Sequence, residues 1–272
     1  MRDVTRVTKK RPPAIDRELE IGSLAHYEDP AWYERAYADR VDDVAYYVAL
    51  AEKMGGPILE YGCGAGRISI PVARTGATIV GVDHSAAMLD DLSARLRREP
   101  TDVRKRVSSR RGDMRALDLR RRFPLVICTF NTFLHLYDRD DVERFLARVR
   151  SHLSRGGRFV FDASVPIPVD LARDPGRAYR MPPVHHPTLG RARYQERFDY
   201  DPIRQILFVA MEITTDDGRE IMTPLAHRQF FPAELEALLH GNGFEVERRE
   251  GGFRGEPLDR HVDTIVWTCR AR

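Results

Sequence analysis

The sequence predicts an α/β fold built on a doubly wound, mostly parallel sheet, and three observations carry that prediction. Short apolar runs alternate with helical patterns from about residue 40 to residue 165. The runs are apolar throughout, as expected of strands buried on both faces. A glycine-rich turn directly follows the first run, where such folds pass from strand to helix.

The elements follow in order. Pro57–Tyr61 reads as the first strand, Ile79–Val82 as the second and Val107–Arg110 as a weak third; Leu125–Phe130 is the fourth and Arg158–Asp162 the fifth. Ser85 is placed to cap a helix whose Met88, Leu89, Leu92 and Leu96 share one face. Asp140 or Asp141 is expected to begin another, with Val142, Phe145, Leu146, Val149 and Leu153 inward and Gly156-Gly157 as its stop. Residues 166–190 hold six of the 17 prolines and read as a loop. Three alternating segments, 191–200, 204–214 and 219–230, are separated by Asp201-Pro202 and Asp216-Asp217-Gly218, which predicts an inserted antiparallel meander. Pro232–His240 reads as a short helix, and Phe244–Arg249 and Asp263–Thr268 as closing strands. The division expected is a flexible basic tail over 1–21, a main domain of 22–165 plus 232–272, and a cap over 166–231 that roofs a substrate pocket.

Composition narrows the function. With 272 residues, 42% hydrophobic and 31% charged, the chain has enough apolar content for a core. No apolar run approaches the ~20 residues that cross a bilayer, and the basic, polar start does not read as a secretory signal. Cys63, Cys128 and Cys269 are too scattered for a disulfide framework or a zinc site, so a reducing cytoplasm is expected. The net charge of +3 raises nucleic acid as a partner. Its densest source, Arg95–Arg122, has twelve basic and four acidic residues but no aromatic residue until Phe123, and reads as a solvated face. Oligomeric state is not legible. His185-His186 lacks a third ligand at metal-site spacing, so no metal is expected, and no G-x-S-x-G elbow marks a hydrolase.

The chemistry concentrates at Ile58–Arg67. Glycines let the chain turn sharply and approach a ligand, beside a helix start with free N–H groups. The dinucleotide pattern G-x-G-x-x-G/A needs a small residue where Arg67 stands, which argues against nicotinamide or flavin.

Glu60-Tyr61-Gly62-Cys63-Gly64-Ala65-Gly66-Arg67, with Asp83 closing the second strand 21 residues after Gly62, resembles the class I S-adenosylmethionine-dependent methyltransferases. Tyr27–Tyr33 followed by Arg40 resembles the N-terminal lid of their small-molecule branch, the glycine and amino-sugar N-methyltransferases. The resemblance covers about 25–165 and 228–270. It implies a Rossmann-like sheet of seven strands ending in an antiparallel hairpin, an N-terminal helical lid, and S-adenosyl-L-methionine as cofactor. It further implies that the glycine loop (Glu60, Gly62, Cys63, Gly64) lies under the methionine part of the cofactor. Tyr33 and Arg40 would hold its carboxylate, with Arg67 as rival, and the Phe130 backbone would accept its amino group. Asp83 would take both ribose hydroxyls, with His84 beside the adenosine. Met88 would cover an adenine face, unless it is only a core residue of its helix. Asp113 and the Met114 N–H would read the adenine edge.

The stretch Asn131-Thr132-Phe133-Leu134 departs from the [DNS]-P-P-[YFW] motif of enzymes that methylate DNA bases or glutamine amides. Just beyond lies His135, the candidate general base, because histidine titrates near working pH. Its plain alternative is a packing residue. Tyr194, Phe198, His227 and Phe230 are candidates for the roof of the pocket, with packing as the plainer reading of each. The function expected is in-line transfer of a methyl group to N or O of a small-molecule metabolite. The alternatives are an RNA methyltransferase using the Arg95–Arg122 cluster, or a cofactor-binding protein without catalysis.

Overall fold

In the computed structural model, which describes residues 16–272, three α-helices, with a 3-10 turn (Ala25–Tyr27) after the first, precede the first strand: α1 (Arg17–Leu24), α2 (Pro30–Ala36) and α3 (Asp42–Met54). The alternating part runs β1 (Ile58–Tyr61), α4 (Ser69–Arg74), β2 (Ile79–Asp83), α5 (Ala86–Leu96), α6 (Thr101–Arg106), β3 (Val107–Arg111), β4 (Phe123–Cys128), α7 (Arg139–His152) and β5 (Leu153–Ser164). Then come α8 (Pro168–Leu171), β6 (Tyr179–His186), β7 (Gly190–Asp201), β8 (Ile206–Thr215), β9 (Glu220–Arg228), α9 (Pro232–Gly241), β10 (Phe244–Glu250) and β11 (Thr264–Ala271).

Seven strands form one sheet in the order β10-β11-β5-β4-β1-β2-β3, parallel except at β11, which runs antiparallel to β5 and to β10. The strand order reverses between β1 and β4, so the crevice beyond their C-terminal ends is the natural ligand position of such a sheet. The pleat sorts the core into two layers. Tyr61, Phe133, Phe145, Phe159, Phe161 and Trp267 pack on the side covered by α7 and α9, while Ile58, Ile127, Val160 and Val266 pack with Tyr47 and Ala51 of α3.

Several expectations shift. Helix α7 is capped by Asp138, whose carboxylate accepts from the Asp141 N–H, and it ends at His152. Leu153, expected on its inner face, instead starts β5 opposite Phe123. Gly156-Gly157 therefore lies in a strand and not at a helix stop. A side chain at 157 would come within 3.0 Å of the Pro124 carbonyl, so glycine serves a close strand approach there. The stretch 166–190 contains α8 and β6, which makes the meander four strands, ordered β6-β7-β8-β9. Its Pro182 and Pro183 sit on an edge strand where the register slips between Met181 and Val184, a place that needs no N–H. Strand β4 stops at Cys128, so Phe130 lies beyond it in the left-handed region (φ 54°), with Asn131 (φ 63°) next to it. Of the expected tail, residues 1–15 lie outside the described residues, whereas 17–21 belong to α1, capped by Asp16. No described helix is long and apolar enough to cross a membrane.

Candidate functional site

The cavity at the switch point encloses about 990 Å³, its open mouth included. Its floor is the turn after β1. Gly62 and Cys63 both donate N–H bonds to the Val82 carbonyl (2.7 and 3.2 Å), which holds the turn against the end of β2. Gly62 has φ +72°, and a Cβ there would collide with the side chain of Thr132. Both facts require glycine. Gly62→Ala should therefore cost about 1–3 kcal/mol of stability through backbone strain and overpacking. Chemical denaturation checks this, and Thr132→Ala in the same chain should recover only the packing part.

Asp83 is the hub of the floor. Its two oxygens accept the Gly64 N–H (2.7 Å) and the Ser85 N–H (2.8 Å). Burial raises its pKa, and these N–H bonds oppose the rise. A carboxylate has about four lone-pair sites, so two remain for a ligand, and Asp83 lines the cavity. His84, Met88, Asp113 and Met114 line it as well. Met88 is 1% exposed, so its two readings coincide: it is a core side chain and part of the wall. At Asp113, burial would raise the carboxyl, but hydrogen bonds from Arg115 outweigh it and hold the pKa below the usual range. Arg115 is fixed in turn by Asp141 at 2.7 Å.

At the other end the picture is mixed. Tyr33 and Phe130 line the cavity, but Arg40, Glu60, Cys63 and Arg67 do not. Arg67 forks onto Asp43 and lies 4.4 Å from the Phe130 ring centroid, so its donors are engaged within the chain. Arg40 makes no ion pair among the described residues and sits 5.7 Å from the same ring. Glu60 is sealed beneath the turn, where the Ser69 hydroxyl donates to it and burial pushes its pKa up to about 8. Cys63 fills the space beside Gly81, where a Cβ would come within 2.5 Å of its Sγ. Asp162 buttresses this end from below: it accepts the Phe130 N–H (2.9 Å), the Asn131 N–H (3.1 Å) and the Tyr47 hydroxyl (2.6 Å). The left-handed pair is thereby locked, with its Phe130 carbonyl unbonded among the described residues.

His135 lines the cavity, but not alone. Its Nε2 lies 2.7 Å from the Tyr27 hydroxyl and its Nδ1 3.1 Å from that of Tyr137. Burial pushes its pKa down to about 4, with neighbouring His26 adding to the shift. His227 packs edge-on at 4.9 Å and is likewise held neutral by burial. Tyr27 and Tyr137 both line the cavity, and sequence reasoning gave neither a role. Tyr27 stands in the quoted lid stretch, yet it is 108 residues from His135, and no local spacing links them.

The other expected roof residues are elsewhere. Phe230 packs on Phe133 in the sheet core, Phe198 against Tyr179, and Tyr194 with the Trp32 cluster. His186 stacks on Trp32 at 4.9 Å, and no metal-ligand group occurs among the described residues. In the Arg95–Arg122 stretch, Arg95 pairs with Glu34 and Asp91, Arg106 with Asp102, and Arg115 with Asp113 and Asp141.

Comparison with known proteins follows the same outline. Residues 58–157 match a methyltransferase domain family. The cypemycin N-terminal methyltransferase of a Streptomyces species is 27% identical over 205 residues, 75% of this chain and 78% of that one. The dTDP-3-amino-3,6-dideoxy-alpha-D-glucopyranose N,N-dimethyltransferase of Streptomyces fradiae is 29% identical over 143 residues, 53% of this chain and 51% of that one. The solved structure of the CcbJ methyltransferase from Streptomyces caelestis aligns with a TM-score of 0.74 at 26% identity, covering 85% of this chain and 96% of that one. The family match begins at β1 and ends inside β5, spanning the parallel strands that frame the cavity: the chain carries a methyltransferase domain and is similar to S-adenosylmethionine-dependent methyltransferases.

Proposed function

We propose that this enzyme methylates an amine nitrogen of a small molecule by in-line displacement. The observation that carries the reading is the uncharged Tyr27–His135 pair facing the cavity next to Phe130. The relatives named above act, by their names, on an N-terminal amine and on an amino sugar, which supports nitrogen over oxygen. In 95–122 Arg95, Arg106 and Arg115 are ion-paired, and the remaining basic residues carry no interleaved aromatic residue for stacking, which gives no positive support to an RNA acceptor.

The residues present fit the cofactor. Asp83 keeps acceptor lone pairs open to the cavity, Gly64 leaves open space where a side chain would stand, and the Phe130 carbonyl has no donor among the described residues. In this assignment Asp83 holds the ribose, while His84, Met88, Asp113 and the Met114 N–H surround the adenine. Glycines 62 and 64 and Tyr33 border the methionine part. Arg40, which lies beside Phe130 outside the cavity lining, would be the cation for the carboxylate, since Arg67 is already committed to Asp43; Glu60, Cys63 and Arg67 support the turn from beneath. When bound, the cofactor supplies a methyl group already activated on a positively charged sulfur. What the chain adds is alignment and exclusion of water. The Tyr27 hydroxyl would meet the N–H of the acceptor and orient its lone pair. His135 would accept the Tyr27 proton as Tyr27 takes the one released by the methylated nitrogen, and would pass it to water when the product leaves, since burial keeps it a weak base. The four-stranded insertion caps the acceptor side, and α1 packs so closely on β9 that a Cβ at Gly22 would be 2.7 Å from that of Ala226.

The reading is tested by incubating the enzyme with S-adenosylmethionine, panels of amino sugars and peptide amines, and RNA, with detection of one methyl mass. Modification of RNA without any amine product would overturn it. If residues 22–40 form a lid, their hydrogen exchange should slow when S-adenosylhomocysteine is added. Equal exchange in both states would make the segment purely structural.

A further inference from the structure

The proton network behind His135 specifies more than its neighbours, and the inference rests on the reading in which His135 works through Tyr27. A neutral imidazole has one N–H and one lone pair, and the partners of each nitrogen decide which is which. Both nitrogens of His135 meet hydroxyls, Nε2 that of Tyr27 and Nδ1 that of Tyr137. Hydroxyls donate and accept, so these two contacts alone leave the tautomer open.

The next link closes it. The Tyr137 hydroxyl is 3.1 Å from the carbonyl of Ala226 on β9, and a carbonyl can only accept. The one Tyr137 proton therefore goes to Ala226, and its oxygen meets Nδ1 as an acceptor. In the reverse arrangement two lone pairs would face each other across 3.1 Å in a buried place. His227 approaches the His135 ring edge-on without a hydrogen bond to it, so it does not compete for either nitrogen.

We propose that Tyr137 is a positioning residue that holds His135 as the Nδ1–H tautomer. Nε2 then accepts the Tyr27 proton, and the Tyr27 oxygen keeps its lone pairs for the N–H of the methyl acceptor. The anchor of this chain is a backbone carbonyl of the inserted sheet, so the cap sets the protonation geometry of a residue on the main domain.

Long-range proton–nitrogen spectra of the full chain, labelled with nitrogen-15 histidine and bound to S-adenosylhomocysteine, test this directly. The His135 signals are those missing from His135→Gln. The expected result is Nδ1–H in wild type, retained in Tyr27→Phe and shifted toward Nε2–H in Tyr137→Phe. Turnover of an amine by Tyr137→Phe should fall about 10-fold, the size of one ordinary hydrogen bond, with unchanged S-adenosylhomocysteine affinity. Wild-type His135 as Nε2–H, or Nδ1–H persisting in Tyr137→Phe, overturns the proposal. The wild-type spectrum decides even if Tyr137→Phe does not fold. A tautomer that shifts while turnover stays constant would uphold the assignment and remove His135 from the reaction instead.

Discussion

Replacing His135 by alanine should lower turnover of the amine acceptor about 10²-fold, the lower end of the range for acid–base catalysis. The lower end is expected because burial pushes the His135 pKa down to about 4, which weakens it as a base. Cofactor affinity should stay within a factor of about two, since the residues assigned to the cofactor contact do not include this side chain and uniform binding is untouched. The pH dependence has a definite sign. The groups facing His135 are the Tyr27 and Tyr137 hydroxyls and the rings of His26 and His227, and both histidines are shifted toward neutrality by burial. His135 is thus neutral through the working range and loses function only as pH falls through about 4. The ratio of wild-type to His135→Ala turnover should be flat from about pH 6 to 8, where an unperturbed histidine near 6.5 would make it rise. A rise through that value would show that the fold does not hold His135 neutral. Nearly full turnover in the alanine variant would make it part of the wall.

Asp83→Ala should weaken S-adenosylhomocysteine binding by at least about 10²-fold, measured by calorimetry. Two charge-assisted hydrogen bonds to a ribose are worth about 1.5–3 kcal/mol each, and the variant also frees the Gly64 N–H that Asp83 holds. Both losses act on the same turn, so the effect exceeds that of a simple contact deletion. Asp83→Asn separates them, because its single carbonyl oxygen can replace only one of the two backbone bonds. An unchanged affinity with a folded Asp83→Ala protein would remove the end of β2 from the cofactor site.

Much of this protein was legible in one dimension. Strands buried on both faces and amphipathic helices follow from local apolar patterning, so β1, β2, β4, β5 and the closing hairpin were readable within a few residues. The glycine turn and Asp83 were readable too, because φ > 0 and a carboxylate at a strand end are local chemical demands. Element ends were less so. Strand β6 was missed because Pro182-Pro183 looks like a loop until an edge strand with slipped register makes the missing N–H groups harmless.

The sequence by itself determined the strands and the glycine turn, since each depends on neighbours in the chain, and its resemblance to the methyltransferases named the cofactor. Only the tertiary structure decided which polar groups meet. Asp43 claims Arg67 across 24 residues, Arg115 claims both Asp113 and Asp141, and Tyr27 reaches His135 across 108. A charged or hydrogen-bonding side chain is defined by its partner and its burial, and neither is a local property. That is why the sequence could nominate His135 as a base, while the packing of two tyrosines and two histidines around it set its burial and its hydrogen-bond partners.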